Sequence, residues 1–406
     1  MYSFCPGVAC ADGSLPNDSL LQAFDGTLYG TTSEGGDPSD YGTVFKLTPS
    51  GELTTLHDFC SETNCADGVV PYFGLIQGIN GNLYGATTTA VAGISGTIFE
   101  ITATGQLSTL YTFCALSNCL DGAGASGALI LGTDGNFYGV TGNGGTQKAG
   151  TIFRITPEGQ LSTLHNFHKT DGTFPNTLVQ AADGNLYGTA SYGGINHKGV
   201  IFKLTRSGQF SVLYNFCSLM FCADGATPYA PLVEGTDGNF YGTTTFGGVN
   251  QVNGQLFGGY GTIFQITPAG QYRTLHTFCA GGGDCADGAY PEDGLTQGTD
   301  GNFYATTYGF SQCPGNCGTV FKLSMGLAPF VAASPAFGRV GHAVHILGNN
   351  LAGATSVTFN GVPATFNVGA NSFITTTVPS GATSGKIEVT TSSGTLSSNK
   401  VFEVIP

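Results

Sequence analysis

A single phrase recurs six times along most of the chain, and this repetition constrains the fold more than any other feature. It reads "DGTLYG" in the first copy and "NGNLYG", "DGNFYG" or "DGNFYA" in later ones, at intervals of 49 to 63 residues. The copies begin at Asp25, Asn80, Asp134, Asp183, Asp237 and Asp300. Fixed-period self-similarity of this kind is the signature of an architecture built from repeated supersecondary units.

Each copy is followed by a second motif, "GTVFKLT" or a variant, and then by a short turn such as "PSGE" and a segment such as "LTTLHDF". Apolar and polar residues alternate in these segments, which indicates half-buried strands. Gly after Asp or Asn supplies the positive φ that tight hairpins need. Each repeat is therefore predicted to form four short antiparallel strands, and six such units predict an all-β, six-bladed β-propeller.

The count of strands predicts how the ring closes. The fourth strand type occurs only five times between Leu28 and Ser324, because the sixth repeat stops at "GTVFKLS". The opening "MYSF" has the composition of the missing strand. We predict a propeller domain over residues 1–326 that is closed by the N-terminal strand, which would remove exposed sheet edges.

The repeat pattern ends after Gly326, and residues 327–406 have a different character. This tail has no cysteine, is enriched in Thr, Ser and Val, and shows strand patterns every eight to twelve residues. These features predict a small immunoglobulin-like β-sandwich as a second domain.

Both parts of the chain resemble known families. The combination of "DGNFYG" and "GTVFKLT" in all six repeats resembles the GloVer-type tandem repeat of bacterial secreted and surface proteins. That resemblance implies export and a propeller-like fold, and it supplies no catalytic residues. The tail, through "VHILGNNLAGATSVTFNGVPATF", resembles an IPT/TIG immunoglobulin-like domain. Such domains usually act as spacers or interaction modules in surface proteins.

Charge and hydropathy narrow the range of partners. The chain has 12 Lys plus Arg against 26 Asp plus Glu, a formal net charge of -14. Nucleic acids and anionic membranes select clustered cations, so neither is expected as a partner. There is no run of about 18 apolar residues, so no membrane span is predicted. Polysaccharides, surface proteins and copies of the chain itself stay open as partners.

Twelve cysteines fall into six close pairs with spacers of three to five residues. A structural zinc site would favour two-residue spacers with a second half-site nearby, so disulfides are the preferred interpretation and metal binding the alternative. The predicted pairs are Cys5 with Cys10, Cys60 with Cys65, Cys114 with Cys119, Cys217 with Cys222, Cys279 with Cys285, and Cys313 with Cys317. Disulfides persist in oxidising compartments, which predicts an extracellular or cell-surface location. A signal peptide is not visible in the chain, and one removed before residue 1 would leave the same picture.

An aspartate recurs in every repeat just before the first strand, always followed by Gly. A ring of carboxylates at this position could hold Ca²⁺, the one cofactor considered. The alternative, favoured by sixfold recurrence, is that each Asp shapes a turn. The residues are Asp12, Asp67, Asp121, Asp171, Asp224 and Asp287.

A ligand site should break the symmetry of the repeats, and the residues after the recurrent Pro do so. They are predicted to surround the entrance of the propeller channel. They are Asn17, Asp18, Tyr72, Phe73, Ser126, Gly127, Asn176, Tyr229, Glu292 and Asp293. Aromatic faces beside carboxylates and amides can hold a sugar through stacking and directional hydrogen bonds. The alternative is polar lining without a ligand.

The fourth repeat is the second break, because it lacks a cysteine pair. Its loops "FHKTDG" and "GGINHKG" place His168, Lys169, His197 and Lys198 on one face of an acidic protein. The two histidines could bind a metal or act as an acid and base pair. The alternative is a solvated patch.

These patterns favour a binding or structural module, with carbohydrate or matrix as the expected partner. A subunit of an extracellular fibre is the second hypothesis. A secreted glycan hydrolase or lyase is the third; it would need two facing carboxylates or a Tyr or His base, and the sequence has no nucleophile elbow, HExxH motif or phosphate loop.

Overall fold

A computed structural model describes residues 2–5, 10–23, 26–36, 40–88, 95–248, 259–280, 285–309 and 318–405. The described chain is all-β, as predicted, and these ranges contain no α-helix. None of their helical turns is long and apolar enough to cross a membrane. The chain forms two compact units. The first unit consists of the described residues of Met1–Glu234, Asn239–Leu295 and Thr306–Val320, and the second of those of Gly235–Gly238, Thr296–Ala305 and Phe321–Pro406.

Five antiparallel sheets follow one another in the first unit, and the strands of each sheet pair in chain order. The first sheet contains β1 (Leu21–Gln22), β2 (Leu28–Thr32), β3 (Thr43–Leu47) and β4 (Leu53–Asp58). The second contains β5 (Ile76–Gln77), β6 (Leu83–Ala86), β7 (Thr97–Ile101) and β8 (Leu107–Thr112). The third contains β9 (Ala123–Ala125), β10 (Ile130–Leu131), β11 (Phe137–Asn143), β12 (Thr151–Ile155) and β13 (Leu161–Asn166), with β9 also paired to β11.

The fourth sheet contains β14 (Thr173–Gln180), β15 (Leu186–Tyr192), β16 (Val200–Leu204) and β17 (Phe210–Asn215). The fifth contains β18 (Val233–Glu234), β19 (Phe240–Thr244), β20 (Thr262–Ile266) and β21 (Tyr272–Thr277). The four predicted strands are thus present in each of these five repeats. The first is shorter than expected in every sheet except the fourth, because only the two residues beside the tight turn join the ladder.

The apolar cores of this unit lie between successive sheets. Tyr29 and Val44 of the first sheet pack in one cluster with Leu83 and Phe99 of the second. The same arrangement recurs between the second and third, the third and fourth, and the fourth and fifth sheets. The second, third and fourth sheets therefore each bury one apolar face against the preceding sheet and the other against the next.

The segment before the first disulfide is not a strand, although its side chains occupy a repeated position. Residues 2–5 have no assigned strand, so the outer strand predicted for "MYSF" is absent from the described residues. Phe4 nevertheless packs edge-on against Phe45, with ring centroids 5.0 Å apart. The pair Phe59 and Phe99 has the same geometry at 5.2 Å, so Phe4 stands where a fourth-strand phenylalanine stands in other repeats.

The second unit contains the sixth in-order sheet and the tail. The sheet has three described strands, β22 (Thr296–Gln297), β23 (Phe303–Thr306) and β24 (Val320–Leu323). The tail contains β25 (Ala332–Ser334), β26 (Phe337–Gly338), β27 (Ala343–Leu347), β28 (Ser356–Phe359), β29 (Val362–Pro363), β30 (Phe366–Ala370), β31 (Phe373–Thr377), β32 (Ile387–Thr391), β33 (Gly394–Ser397) and β34 (Glu403–Val404).

Two four-stranded sheets of the tail, with orders β25-β27-β31-β30 and β29-β28-β32-β33, pack on a common core. Val344 and Ile374 contribute to this core from one sheet, and Val357 and Val389 from the other. Their alternation with exposed residues along each strand is the pattern that the sequence predicted for a sandwich.

Candidate binding cavity

The repeated aspartates are hydrogen-bonded to an aromatic side chain in all six repeats. The aromatic partner stands six residues before the Asp in the fourth repeat and ten or eleven before it in the others, and its hydroxyl or ring nitrogen lies 2.7 to 3.2 Å from the carboxylate. The pairs are Tyr2 with Asp12, His57 with Asp67, Tyr111 with Asp121, His165 with Asp171, Tyr214 with Asp224, and His276 with Asp287.

Backbone donors occupy the remaining capacity of these carboxylates. Asp224, which is fully buried, accepts hydrogen bonds from the N–H groups of Ser218 and Leu219 at 2.8 and 3.1 Å. A Ca²⁺ ion needs six to eight free oxygen ligands. The described residues also contain no group of three or more His, Cys, Asp and Glu arranged to hold a metal. The repeated aspartates therefore do not fit the calcium site that the sequence left open.

The hydrogen bonds also decide the ionisation of two of these aspartates. Burial raises the pKa of Asp67, but hydrogen bonds from His57 and Ser61 outweigh it and hold that pKa below its ordinary value. The pKa of Asp171 is lowered in the same way, chiefly by His165 acting against burial. Each carboxylate is thus stabilised in its charged form by the loop that it organises.

The glycine after each aspartate is required by close packing, as Gly225 illustrates. Its φ is +94°, and a Cβ atom there would lie 2.5 Å from Oγ1 of Thr244. Thr244 and Thr262 are paired by a buried hydroxyl hydrogen bond of 2.8 Å. The Asp-Gly dipeptide is therefore a structural element that seats the loop on this threonine pair.

Five of the predicted cysteine pairs form disulfides. They are Cys5–Cys10, Cys60–Cys65, Cys114–Cys119, Cys217–Cys222 and Cys279–Cys285. The sixth predicted pair, Cys313 with Cys317, lies outside the described residues. Disulfides of this number are typical of proteins exported to an oxidising compartment.

A cavity of about 510 Å³ opens in the first unit, and residues of all six repeats line it. Nine of the ten residues predicted to surround the channel entrance are among them: Asn17, Asp18, Tyr72, Phe73, Ser126, Asn176, Tyr229, Glu292 and Asp293. Gly127, the tenth, is not among the lining residues. The side chains that break the repeat symmetry thus come together at one place.

Three aromatic rings are exposed in the lining. Tyr72, Tyr229 and Phe174 are 49, 53 and 41 % exposed. The ring of Phe73 meets that of Tyr72 edge-on at 5.5 Å, which fixes the orientation of the exposed ring. Burial raises the pKa of the Tyr229 phenol, with further contributions from Tyr72, Tyr192 and Glu292. Tyr72, Tyr229 and Glu292 thus line the same cavity.

Three carboxylates are the charged groups of the lining. Asp18 accepts a hydrogen bond from the N–H of Gly74 at 2.7 Å and so links the first repeat to the second. Asp293 accepts one from the hydroxyl of Thr306 at 3.1 Å. Glu292 is exposed in the cavity, where partial desolvation and the adjacent Asp293 carboxylate raise its pKa.

The two amides of the predicted site are used within the protein. Asn176 is buried; its amide donates to Thr189 and to the carbonyl of Pro228, and its oxygen accepts from Ser191. Asn17 donates to the hydroxyl of Ser33. These bonds make Asn176 in particular a link between neighbouring repeats, in addition to a part of the cavity wall.

The comparisons with known proteins agree with both resemblances. The model of the Gloeobacter/Verrucomicrobia repeat matches residues 1–130 and 115–321. The chain belongs to the Gloeobacter/Verrucomicrobia repeat family. The IPT/TIG domain matches residues 330–404, which confirms the prediction for the tail. No curated protein sequence matches this repeat protein.

Solved structures are similar to the repeat protein only at a distance. The periplasmic gluconolactonase of Pseudomonas aeruginosa is 16% identical, with 76% of this chain and 88% of that chain covered and a TM-score of 0.44. An auxiliary nutrient binding protein of Bacteroides ovatus is 13% identical, with 77% and 70% covered and a TM-score of 0.42. PorZ, a surface component of the type-IX secretion system of Porphyromonas gingivalis, is 14% identical, with 96% and 60% covered and a TM-score of 0.41. Likeness at this level carries no argument about activity or ligand.

The four basic residues singled out in the fourth repeat lie away from the cavity lining. Their two loops are neighbours, because the N–H of Gly194 donates to the carbonyl of Lys169 at 2.9 Å. His168 is exposed and its Nδ1 lies 3.5 Å from the carboxylate of Asp171. His197 is exposed and Lys198 is half-buried. Both interpretations of these four residues, a ligand-binding site and a solvated surface patch, stay predictions.

Phe174 is the main lining residue that sequence reasoning missed in this member of the repeat family. It directly precedes Pro175 and has a φ of +58°. Thr227 and Tyr290 also precede a proline and have φ near +57°. Neither Thr227 nor Tyr290 lines the cavity, so the position before the recurrent Pro gave no sequence signal for Phe174.

Proposed function

We propose that this Gloeobacter/Verrucomicrobia repeat protein is an extracellular or cell-surface carbohydrate-binding module whose ligand occupies the cavity of the first unit. The observation that carries the proposal is the composition of the lining. Exposed aromatic rings stand beside hydrogen-bond acceptors, and neither Lys, Arg nor His is among the lining residues that the structure describes. Aromatic faces with a few placed polar groups are the usual means of holding a small polar ligand, and about 300–1,000 Å³ is the usual size range of such sites.

The proposed architecture is a six-bladed propeller over residues 1–326 and an immunoglobulin-like domain over residues 327–406. Residues 2–4 are proposed as the outer element of the sixth blade. Cores shared by successive sheets support a radial arrangement of the repeats. The contact of Phe4 with Phe45 supports the assignment of the first segment to the ring, since it repeats that of Phe59 with Phe99. A lining drawn from all six repeats is what the mouth of such a ring would have.

A glycan array of neutral oligosaccharides, followed by calorimetric titration of the best ligand, tests this function. Replacing both exposed rings, Tyr72→Ala with Tyr229→Ala, is expected to weaken binding about tenfold or more, because each lost ring contact costs about 1 kcal/mol. Tyr308→Ala is the matched control, because Tyr308 is 70 % exposed and does not line the cavity. Absence of binding on the array, or equal affinities for the double variant and the wild type, would refute the proposal.

A glycan hydrolase is the second candidate, and one observation favours it. The raised pKa of Glu292, beside the Asp293 and Asp18 carboxylates of the same lining, is the property that a general acid needs. Mass spectrometry of the titrated oligosaccharides after prolonged incubation would detect cleavage. If the oligosaccharides stayed intact, the hydrolase would be excluded and carbohydrate binding would be the remaining function. Electron microscopy of the same preparation checks the prediction of fibres.

A further inference from the structure

We propose that the ligand of the cavity carries a protonated amine, and specifically that it is an oligosaccharide of free amino sugars. This inference rests on the proposed carbohydrate-binding function and names its ligand class. It follows from the charge of the cavity, the unused acceptor capacity of Glu292 and Asp293, and the presence of exposed aromatic rings in the same lining.

The charge of the lining has one sign. Asp18, Glu292 and Asp293 are its carboxylates, and no cationic side chain of the described chain lines the cavity to neutralise them. The whole protein adds to this field with a formal net charge of -14. A cleft lined by one sign of charge concentrates ligands of the opposite sign. Uronic acids and phosphorylated or sulfated sugars are correspondingly disfavoured.

Glu292 and Asp293 differ from the repeated aspartates because they keep unused capacity to accept hydrogen bonds. One oxygen of Asp293 accepts from Thr306, and no donor among the described residues reaches Glu292. A carboxylate can accept about four hydrogen bonds. Glu292 and Asp293 together can therefore accept the three N–H donors of an ammonium group without breaking an existing contact.

The aromatic rings supply the second attraction. Tyr229 and Glu292 line the same cavity, and both are exposed in it. An ammonium of a ligand in this cavity could therefore contact the half-exposed ring as well as the carboxylate, and cation–π attraction adds about 0.5–2 kcal/mol where the two meet. The apolar face of a sugar ring would stack on Tyr72 or Tyr229 in the same pose.

The protein itself contains an example of this arrangement. Nζ of Lys203 lies 5.1 Å from the ring centroid of Tyr187 and 3.5 Å from the carboxylate of Asp183. An ammonium near both a tyrosine ring and a carboxylate thus occurs elsewhere in this chain. Tyr229 and Glu292 offer the same pair of groups to an external ammonium.

The test compares oligomers of glucosamine with oligomers of N-acetylglucosamine of the same length, titrated calorimetrically below the pKa of the amine. The free amine is expected to bind at least about tenfold more tightly, and its advantage should fall as salt is added. In the variant Glu292→Gln with Asp293→Asn, the ratio of the two affinities is expected to fall to near one. Glu62→Gln, an exposed glutamate outside the cavity, should keep the ratio. Thermal melts check that each variant is folded.

The outcomes separate this inference from the function on which it rests. Suppose that the two oligomers bind equally and that the Tyr72→Ala and Tyr229→Ala double variant loses binding. The requirement for a protonated amine would then be wrong, and the carbohydrate-binding function would stand. Binding of neither oligomer, nor of any glycan on the array, would overturn both. A lysine-rich peptide that binds more tightly than the glucosamine oligomer would overturn the amino sugar as the ligand.

Discussion

Asp224 is fully buried and accepts hydrogen bonds from Tyr214, Ser218 and Leu219, whereas Glu292 is exposed in a cavity where no described donor reaches it. The first carboxylate stands at a position that recurs in all six repeats, and the second at a position where the repeats differ. Repetition therefore marks carboxylates whose hydrogen-bonding capacity is used by the fold. Departure from repetition at Glu292 instead gives a carboxylate whose capacity is available to a ligand, whereas Asp18, also at a variable position, accepts from Gly74 and Ser19.

The largest expected effect comes from deleting a repeated carboxylate. Asp224→Ala should lower the free energy of unfolding by about 3 kcal/mol, because it leaves the Tyr214 hydroxyl and two backbone N–H groups without their acceptor. Asp18→Ala, at the cavity, should cost about 1 kcal/mol or less. Urea titration followed by far-ultraviolet circular dichroism measures both. Similar losses in the two variants would contradict the distinction between the two sets.

A smaller effect is expected at the first repeated phenylalanine. Phe4→Ala should destabilise the protein by about 2 kcal/mol, less than a fully buried phenylalanine because Phe4 is only half-buried. Leu116→Ala is the control: Leu116 is an exposed apolar residue in a disulfide loop, and its loss should change stability by no more than about 0.5 kcal/mol. If thermal melts place the two variants at the same temperature, the first segment does not belong to the ring.

The smallest effects should appear in the pH dependence of stability. They should have opposite signs for the repeated aspartate Asp67 and for the cavity carboxylate Glu292. The pKa of Asp67 is lowered in the folded protein, so its stabilising contribution is present above about pH 4 and lost as the pH falls through the folded value. Asp67→Asn should therefore lose most stability at neutral pH and least in acid.

The pKa of Glu292 is raised, so its contribution to stability is present below the ordinary glutamate value and lost as the pH rises. Glu292→Gln should therefore be slightly more stable than the wild type at neutral pH and no different in acid. Thermal melts from pH 3 to pH 8 record both series. Parallel curves for the two variants would show that the carboxylates do not differ in this way.

Much of the strand pattern was predictable because it depends on local chemistry. The alternating segment after Gly96 becomes β7, and the turn after Thr102 separates it from β8, as the sequence indicated. Turn residues and alternation are read within a few positions of the chain. The length of the first strands was not predictable, since leaving the ladder after two residues depends on packing against neighbouring repeats.

The cavity was partly predictable for the same reason. Asn17, Tyr72 and Glu292 occupy the same register relative to the recurrent Pro, so a repeated fold had to bring them together. The commitment of the Asn176 amide to Thr189 and Pro228 could not be predicted, because both partners come from other strands or another repeat.

The sequence by itself determined that this protein consists of antiparallel repeats of one family followed by an IPT/TIG domain, because periodicity and turn chemistry are local properties. It also located the positions where the copies differ. Only the tertiary structure decided which polar groups are used internally. In the sequence, Asp67 and Glu292 are both simply carboxylates. Folding brings the donors His57 and Ser61 to Asp67, whereas it places Glu292 in the lining of the cavity.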